Sequence, residues 1–244
     1  MVIQDLMIAG EEEILIKDLY FILMKNQLGN VKKCKTLIRH GEIFVNGVVA
    51  DDPYYKVKNG DKITYQNQCV DAQPFVYYMM NKPSGYICAN KDKYWPCVID
   101  LIDRDDCICI GRLDQDTTGL LLITNDKSLS KRLLLPQNHI DKRYLVRVDN
   151  VLHKNLVSRF NDGIIIDKNV LCESAVLDIV DDYHCSITIH EGKYHQVKKM
   201  FMSCGYKVLE LKRVEFAGIE LDLQLNEGEY RPLDDEEIRL LNEI

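Results

Sequence analysis

The sequence predicts an α+β protein in which a small helix-helix-hairpin domain precedes a larger domain built on a mainly antiparallel sheet. Two short amphipathic segments near the N-terminus each stop at a glycine, Gly29 and Gly41. The Asn-Gly pairs 46–47 and 59–60, strong hairpin signals, follow at once. From residue 75 onward strands alternate with a few helices, with no strand-helix-strand period and no G-x-G-x-x-G, so neither a Rossmann sheet nor a P-loop is indicated.

In the stretch ILIKDLYFILMKNQLG, Leu19, Ile22, Leu23 and Gln27 recur at helical spacing, which predicts a short helix ended at Gly29. NVKKCKTLIRHG predicts a second. Val31, Cys34, Leu37 and Ile38 share one face, Lys32, Lys33, Lys35 and Arg39 occupy the others, and Gly41 is the stop. EIFVNGVVA and KVKNGDKITY then read as a small β-ribbon. Residues 71–74 read as a linker with Pro74 as punctuation, which divides the chain into 14–70, 71–74 and 75–244. FVYYMMNKP is a strand, and CICI, with cysteines alternating with isoleucines, is another. If its phase continues, Arg112 and Asp114 project on the same side. Residues 115–119 break that strand and residues 120–124 resume it, which holds Asp114 stiffly at the mouth of two strands. Residues 194–204 predict a helix with Val197, Met200, Phe201 and Cys204 on its apolar face and Lys198 and Lys199 off it. His195 is expected to be bonded into the start of that helix.

Hydrophobic residues make up 46% of the chain, enough for a real core, and no apolar run approaches the roughly 20 residues that cross a bilayer. The N-terminal stretch lacks a basic segment and an apolar core, so the cytoplasm is expected. The nine cysteines are scattered without a C-x-x-C pair, which predicts reduced structural thiols rather than disulfides or a metal site. A net charge of -7 argues against a nucleic-acid partner when taken alone. Its distribution reverses the argument: residues 17–68 carry nine lysines and arginines against five acids. Screening over about 8–10 Å makes a ligand respond to that local patch.

Gly41-Glu42-Ile43-Phe44-Val45-Asn46-Gly47, behind two helices with basic residues, resembles the closing element of the S4 RNA-binding module. GRLDQDTTGLLLITND, residues 111–126, resembles almost residue for residue the G-R-L-D-x-D-T-T-G-L-x-L-L-T-x-D signature of pseudouridine synthases of the ribosomal small-subunit type. DKRYLV (141–146), EGKYHQVKKM (191–200) and GEYRPL (228–233) resemble three further motifs of that family, in the family's order. The resemblance implies that Asp114 is the catalytic carboxylate, that Tyr144 stacks on the target base and that Lys198 pairs with Asp114. It places Arg112, Gln196 and Arg213 among the RNA contacts, with Arg112 filling the space the base leaves. Lys32, Lys33, Lys35 and Arg39 of the S4-like module are the expected backbone-phosphate contacts. Lys198 and Lys199 stand where arginine is frequent, and a lysine neutralises a carboxylate as a point charge without the planar fork.

Isomerising uridine to pseudouridine breaks the bond from C1′ to N1, turns the uracil and joins C1′ to C5, with no redox change and no added group. No cofactor and no metal are therefore expected. The reaction needs a carboxylate at the ribose, as nucleophile at C1′ or as base for the C2′ proton, and a way to hold the detached ring. A nearby cation keeps such a carboxylate ionised in a dry pocket. The expected partner is ribosomal RNA, most nearly that of the small subunit, met within an assembly particle by a monomer. Large-subunit RNA is the alternative substrate, and an inactive S4-type assembly factor the alternative class. A glycosidase pairing Asp114 with Asp116 is disfavoured, since two carboxylates so close in sequence do not flank a glycosidic bond.

Overall fold

The computed structural model describes residues 17–58, 60–72 and 75–244, and the chain divides into two units between Phe75 and Val76. In the first unit, β1 (Lys17–Asp18) leads into α1 (Leu19–Lys25), which buries Leu19, Ile22 and Leu23. This helix ends sooner than the spacing predicts. The Asn26 side chain donates to the Asp71 carbonyl at 2.8 Å and accepts from the Asp71 N–H at 3.1 Å, and Gln27, exposed, takes the left-handed turn at φ 61°. Asn30 caps α2 (Val31–Arg39) by accepting from the Lys33 N–H at 3.0 Å. Cys34, Leu37 and Ile38 are buried as predicted, whereas Val31, in the first turn, stands clear of the apolar cluster and is exposed.

A four-stranded sheet in the order β3-β2-β5-β6 covers these helices' unit with β2 (Ile43–Val45), β3 (Val48–Val49), β5 (Ile63–Tyr65) and β6 (Gln68–Val70), while β4 (Lys56–Val57) pairs with β1. Asn46 and Gly47 both take positive φ, 52° and 80°, the two-residue turn that Asn-Gly favours. The turn predicted at 59–60 and the linker at 71–74 include Asn59, Gln73 and Pro74, and these, like the N-terminal stretch 1–16, lie outside the described residues.

The second unit is a nine-stranded sheet in the order β13-β14-β10-β15-β9-β7-β17, with β16 on β15 and β8 on β9. Its strands are β7 (Tyr77–Lys82), β8 (Ile108–Ile110), β9 (Thr118–Thr124), β10 (Lys142–Val148), β13 (Val176–Ile179), β14 (His184–Ile189), β15 (Val208–Phe216), β16 (Ile219–Glu220) and β17 (Tyr230–Pro232). A short ribbon of β11 (Ile165–Ile166) and β12 (Val170–Leu171) lies apart. The helices are α3 (Lys127–Leu133), α4 (Asn155–Asn161), α5 (Gln196–Ser203) and α6 (Asp235–Glu243).

All pairings in the large sheet are antiparallel except β9 with β15, which joins its two halves side by side. Apolar clusters cover both faces: Met80, Leu121 and Ile123 belong to one, Met79, Leu120 and Leu122 to the other. That is why residues 120–123 are apolar without alternation. At the join, Gly119 holds φ +99° and lies so near Arg213 that a Cβ there would stand 2.2 Å from the Arg213 carbonyl oxygen.

Candidate active site

Asp114 belongs to the loop between β8 and β9, whose register sets Ile110 opposite Leu122. The strand phase does not run through to it as predicted: β8 ends at Ile110, and Gly111 turns the chain at φ +75°. Leu113 then turns inward, while Arg112 is exposed and Asp114 half-buried. The cation beside Asp114 is accordingly not Arg112.

A lysine fixes the loop from below. Lys82, fully buried at the end of β7, donates from Nζ to the carbonyls of Pro83 (2.9 Å), Gln115 (3.2 Å) and Thr117 (2.9 Å). Burial pulls its ammonium below the ordinary lysine range, opposed by negative groups that include Asp116 and Asp114. Gly85 and Gln115 exchange two more bonds, and the Leu113 N–H donates to the Cys88 thiol at 3.3 Å. The carboxylate therefore stands on a loop tied at Leu113, Gln115 and Thr117, a preorganisation that catalytic groups need.

From across the sheet, α5 brings Lys198. Val197, Met200 and Phe201 bury the inner face of this helix, and that phase turns Lys198 toward the loop. Its Nζ lies 2.9 Å from Asp114 Oδ2 and 2.5 Å from Asp116 Oδ1. Burial lowers the lysine's affinity for its proton, but the bonds to Asp116 and Asp114 outweigh it, and the net shift is upward. Asp116 is correspondingly held below the usual carboxylate range: its desolvation, which acts upward, is overcome by Lys198. Lys199, one position on, points elsewhere and pairs with Asp167 at 2.5 Å. The helix begins at Gln196 rather than at Tyr194, and Cys204, expected on the apolar face, is its half-buried cap.

His195 departs from expectation. It makes no side-chain cap to α5. In a left-handed conformation (φ 53°), its ring stacks on Tyr194 at 3.8 Å and its Nε2 stands 3.5 Å from Asp114 Oδ1. The sequence carries no signal for this, because the left-handed turn that swings His195 aside is a non-glycine position that neither periodicity nor a turn motif marks.

Asp114 opens on a cavity of about 620 Å³ whose lining includes Arg112, Tyr144, Gln196 and Arg213. Tyr144, on β10, is 7% exposed. Gln196, placed among the RNA contacts by the sequence, is buried and engaged within the protein: Nε2 donates to Glu191 Oε1 at 2.6 Å and Oε1 accepts from the Lys193 N–H at 2.9 Å. Arg213 is buried on the cavity floor, with Nε donating to the Leu120 carbonyl at 2.8 Å. Lys142, which the sequence reading passed over, lines the same cavity. Lys32, Lys33, Lys35 and Arg39 belong to the other unit, where Lys35 Nζ bonds Tyr54 Oη at 2.7 Å and Lys32, Lys33 and Arg39 are exposed.

A carboxylate paired with a lysine, at a cavity lined by a tyrosine, on a large mainly antiparallel sheet that follows a helix-helix-hairpin unit, is the arrangement expected of a uridine-isomerising enzyme. A family model described as RNA pseudouridylate synthase matches residues 76–203, more than half of the chain, and an S4 domain model matches residues 25–63. The chain belongs to the RNA pseudouridylate synthase family and is an isomerase. It is 36% identical over 209 residues to the ribosomal small subunit pseudouridine synthase A of Haemophilus influenzae, covering 84% of this chain and 90% of that protein. It is 35% identical over 231 residues to the uncharacterized RNA pseudouridine synthase YtzG of Bacillus subtilis, covering 91% and 97%. A solved structure described as a crystal structure of pseudouridylate synthase superposes with a TM-score of 0.67 at 33% identity, over 92% of this chain and 99% of the other.

Proposed function

We propose that this enzyme converts one uridine of small-subunit (16S) ribosomal RNA to pseudouridine, with Asp114 as the catalytic carboxylate. The observation that carries the reading is the contact of Lys198 with Asp114 at 2.9 Å, at the edge of a cavity walled by Tyr144. Attack on C1′ and removal of the C2′ proton both require an ionised carboxylate, and the lysine supplies the opposing charge. A target base inside folded RNA must be extruded, at a cost of a few kcal/mol that stacking on an aromatic ring offsets. Tyr144 is that ring, and Arg112, exposed at the rim, takes the place the base leaves. Small-subunit substrate follows the relatives that carry that name. The enzyme acts as a monomer on an assembly particle in the cytoplasm; among the described residues no helix is long and apolar enough to cross a membrane. Tritium release from transcripts labelled at uracil C5 tests the substrate: release from small-subunit RNA and none from large-subunit RNA is expected, and the reverse moves the enzyme to the large subunit.

Lys198→Met tests the ion pair. The substitution removes the cation 2.9 Å from Asp114 Oδ2, and the rate of tritium release is expected to fall, whereas Lys198→Arg, which keeps the charge, retains most of it. Lys199→Met, whose parent residue pairs with Asp167, keeps the wild-type rate. A rate that falls with Lys199→Met and not with Lys198→Met contradicts the pairing.

The exposed cations of α2 give a second expectation. Reversing Lys32, Lys33 and Arg39 to glutamate lowers RNA affinity and flattens its dependence on salt, because each lost phosphate contact releases about 0.9 fewer counterions on duplex-like RNA. An unchanged slope in a salt titration makes these residues a solvated helix face.

A further inference from the structure

The floor of the cavity carries two cations that, among the described residues, form no ion pair with a carboxylate. Arg213 is 2% exposed, yet its guanidinium makes a single hydrogen bond, from Nε to Leu120, and its Nη2 is buried without a partner. Lys142 donates from Nζ only to the carbonyls of Ile140 (2.6 Å) and His190 (3.3 Å). Burial and the neighbouring Arg213 push its ammonium down to about 8. Both cations lie over the ring of Phe216, at 4.8 and 5.7 Å. An unpaired buried charge is costly to keep, so a chain that retains one has a use for it.

The sheet shows where that charge is directed. Arg213 on β15 is the cross-strand partner of Tyr144 on β10, so the two side chains share one face of the sheet. Lys142, two residues before Tyr144, falls on that face as well. All three line the cavity onto which Asp114 opens.

We propose that the Arg213 guanidinium, with Lys142 beside it, is an anion subsite that holds the detached uracil by its carbonyl oxygens while the ring turns. This rests on the pseudouridine synthase reading above. When the C1′–N1 bond breaks, its electron pair leaves with the ring, and the negative charge spreads over N1, O2 and O4. A half-turn about the axis through N3 and C6 exchanges N1 with C5 and O2 with O4. Donors fixed on the floor therefore meet a carbonyl before the turn and again after it. The ring then returns an electron pair through C5 to C1′, C5 loses its proton and N1 gains one, and the product is an isomer of the substrate. Cytosine, with an amino group in place of O4, sets a donor against these donors, so the same subsite favours uracil.

The competing account makes Arg213 a structural peg for β9. Single-turnover tritium release and RNA binding, measured on the full chain, separate the two. Loss of a preorganised donor to developing charge costs about 10²–10³-fold in rate. Arg213→Met is expected to lose rate on that scale with RNA affinity and its salt dependence unchanged, and methylguanidinium is expected to restore part of the rate to Arg213→Ala. Arg213→Lys keeps stem and charge but not the fork, and is expected to fold and to lose rate roughly tenfold. Should Arg213→Met not fold, Arg213→Lys decides. A wild-type rate in Arg213→Lys overturns the subsite, and so does a rate that falls only in step with RNA affinity and a shallower salt dependence, which marks a phosphate contact. Asp114→Asn is run alongside: if it is active, the functional reading fails; if it is inactive while the Arg213 variants keep full rate, the subsite alone is lost.

Discussion

Asp114→Asn is expected to abolish pseudouridine formation while leaving the fold and RNA affinity in place. The amide has the shape of the carboxylate but is neither nucleophile nor base, so both routes to the detached ring close together. The loop that carries it is fixed mainly by backbone contacts, from Lys82 to the Pro83, Gln115 and Thr117 carbonyls and between Gly85 and Gln115, and none of these uses the Asp114 side chain. Replacing the carboxylate weakens the bond to Lys198, which is retained by Asp116. Thermal melting and RNA binding should thus change little. Activity above about a tenth of wild type, a loss of under about 1.4 kcal/mol in transition-state stabilisation, contradicts the assignment.

Gly119→Ala is expected to be the most damaging small substitution in the second unit. The added methyl meets the Arg213 carbonyl oxygen at 2.2 Å and the Arg213 nitrogen at 2.9 Å, both backbone atoms that cannot swing aside, at a φ of +99° that alanine rarely adopts. Relief requires β9 and β15 to separate, and that parallel pair is the join between the two halves of the sheet. The loss is expected to exceed about 4 kcal/mol, the range of diagnostic core lesions, in urea unfolding of the full chain. Gly228→Ala is the control: φ is +91° but nothing lies within 4 Å of the added carbon, so only the backbone strain of about 1–2 kcal/mol applies. Similar losses at both sites contradict the close approach at β9–β15.

What could be read from the sequence follows from how local the cause is. The Asn46-Gly47 turn, the buried face of α2 at Cys34, Leu37 and Ile38, and the helix phase that separates Lys198 from Lys199 each depend on a few adjacent residues, and the structure has all three. Where the cause is distant, the reading fails. The end of α1 is set by Asn26 bonding to Asp71, 45 residues away. The strand carrying Arg112 stops at a left-handed Gly111, which removes the alternation that would have set Arg112 beside Asp114. His195 faces Asp114 across 81 positions of sequence through a backbone turn that no periodicity signals. Lys82 had a visible cue, a lysine closing an apolar strand, but its role as a three-carbonyl clamp depends on the loop at 115–117.

The functional claim is tested most directly by mapping pseudouridine across ribosomal RNA from cells with the gene intact, with the gene deleted and with Asp114→Asn in its place. The account predicts one small-subunit position that is modified with the intact gene and unmodified in the other two. An identical map in all three strains, or full modification of that position in the Asp114→Asn strain, contradicts it.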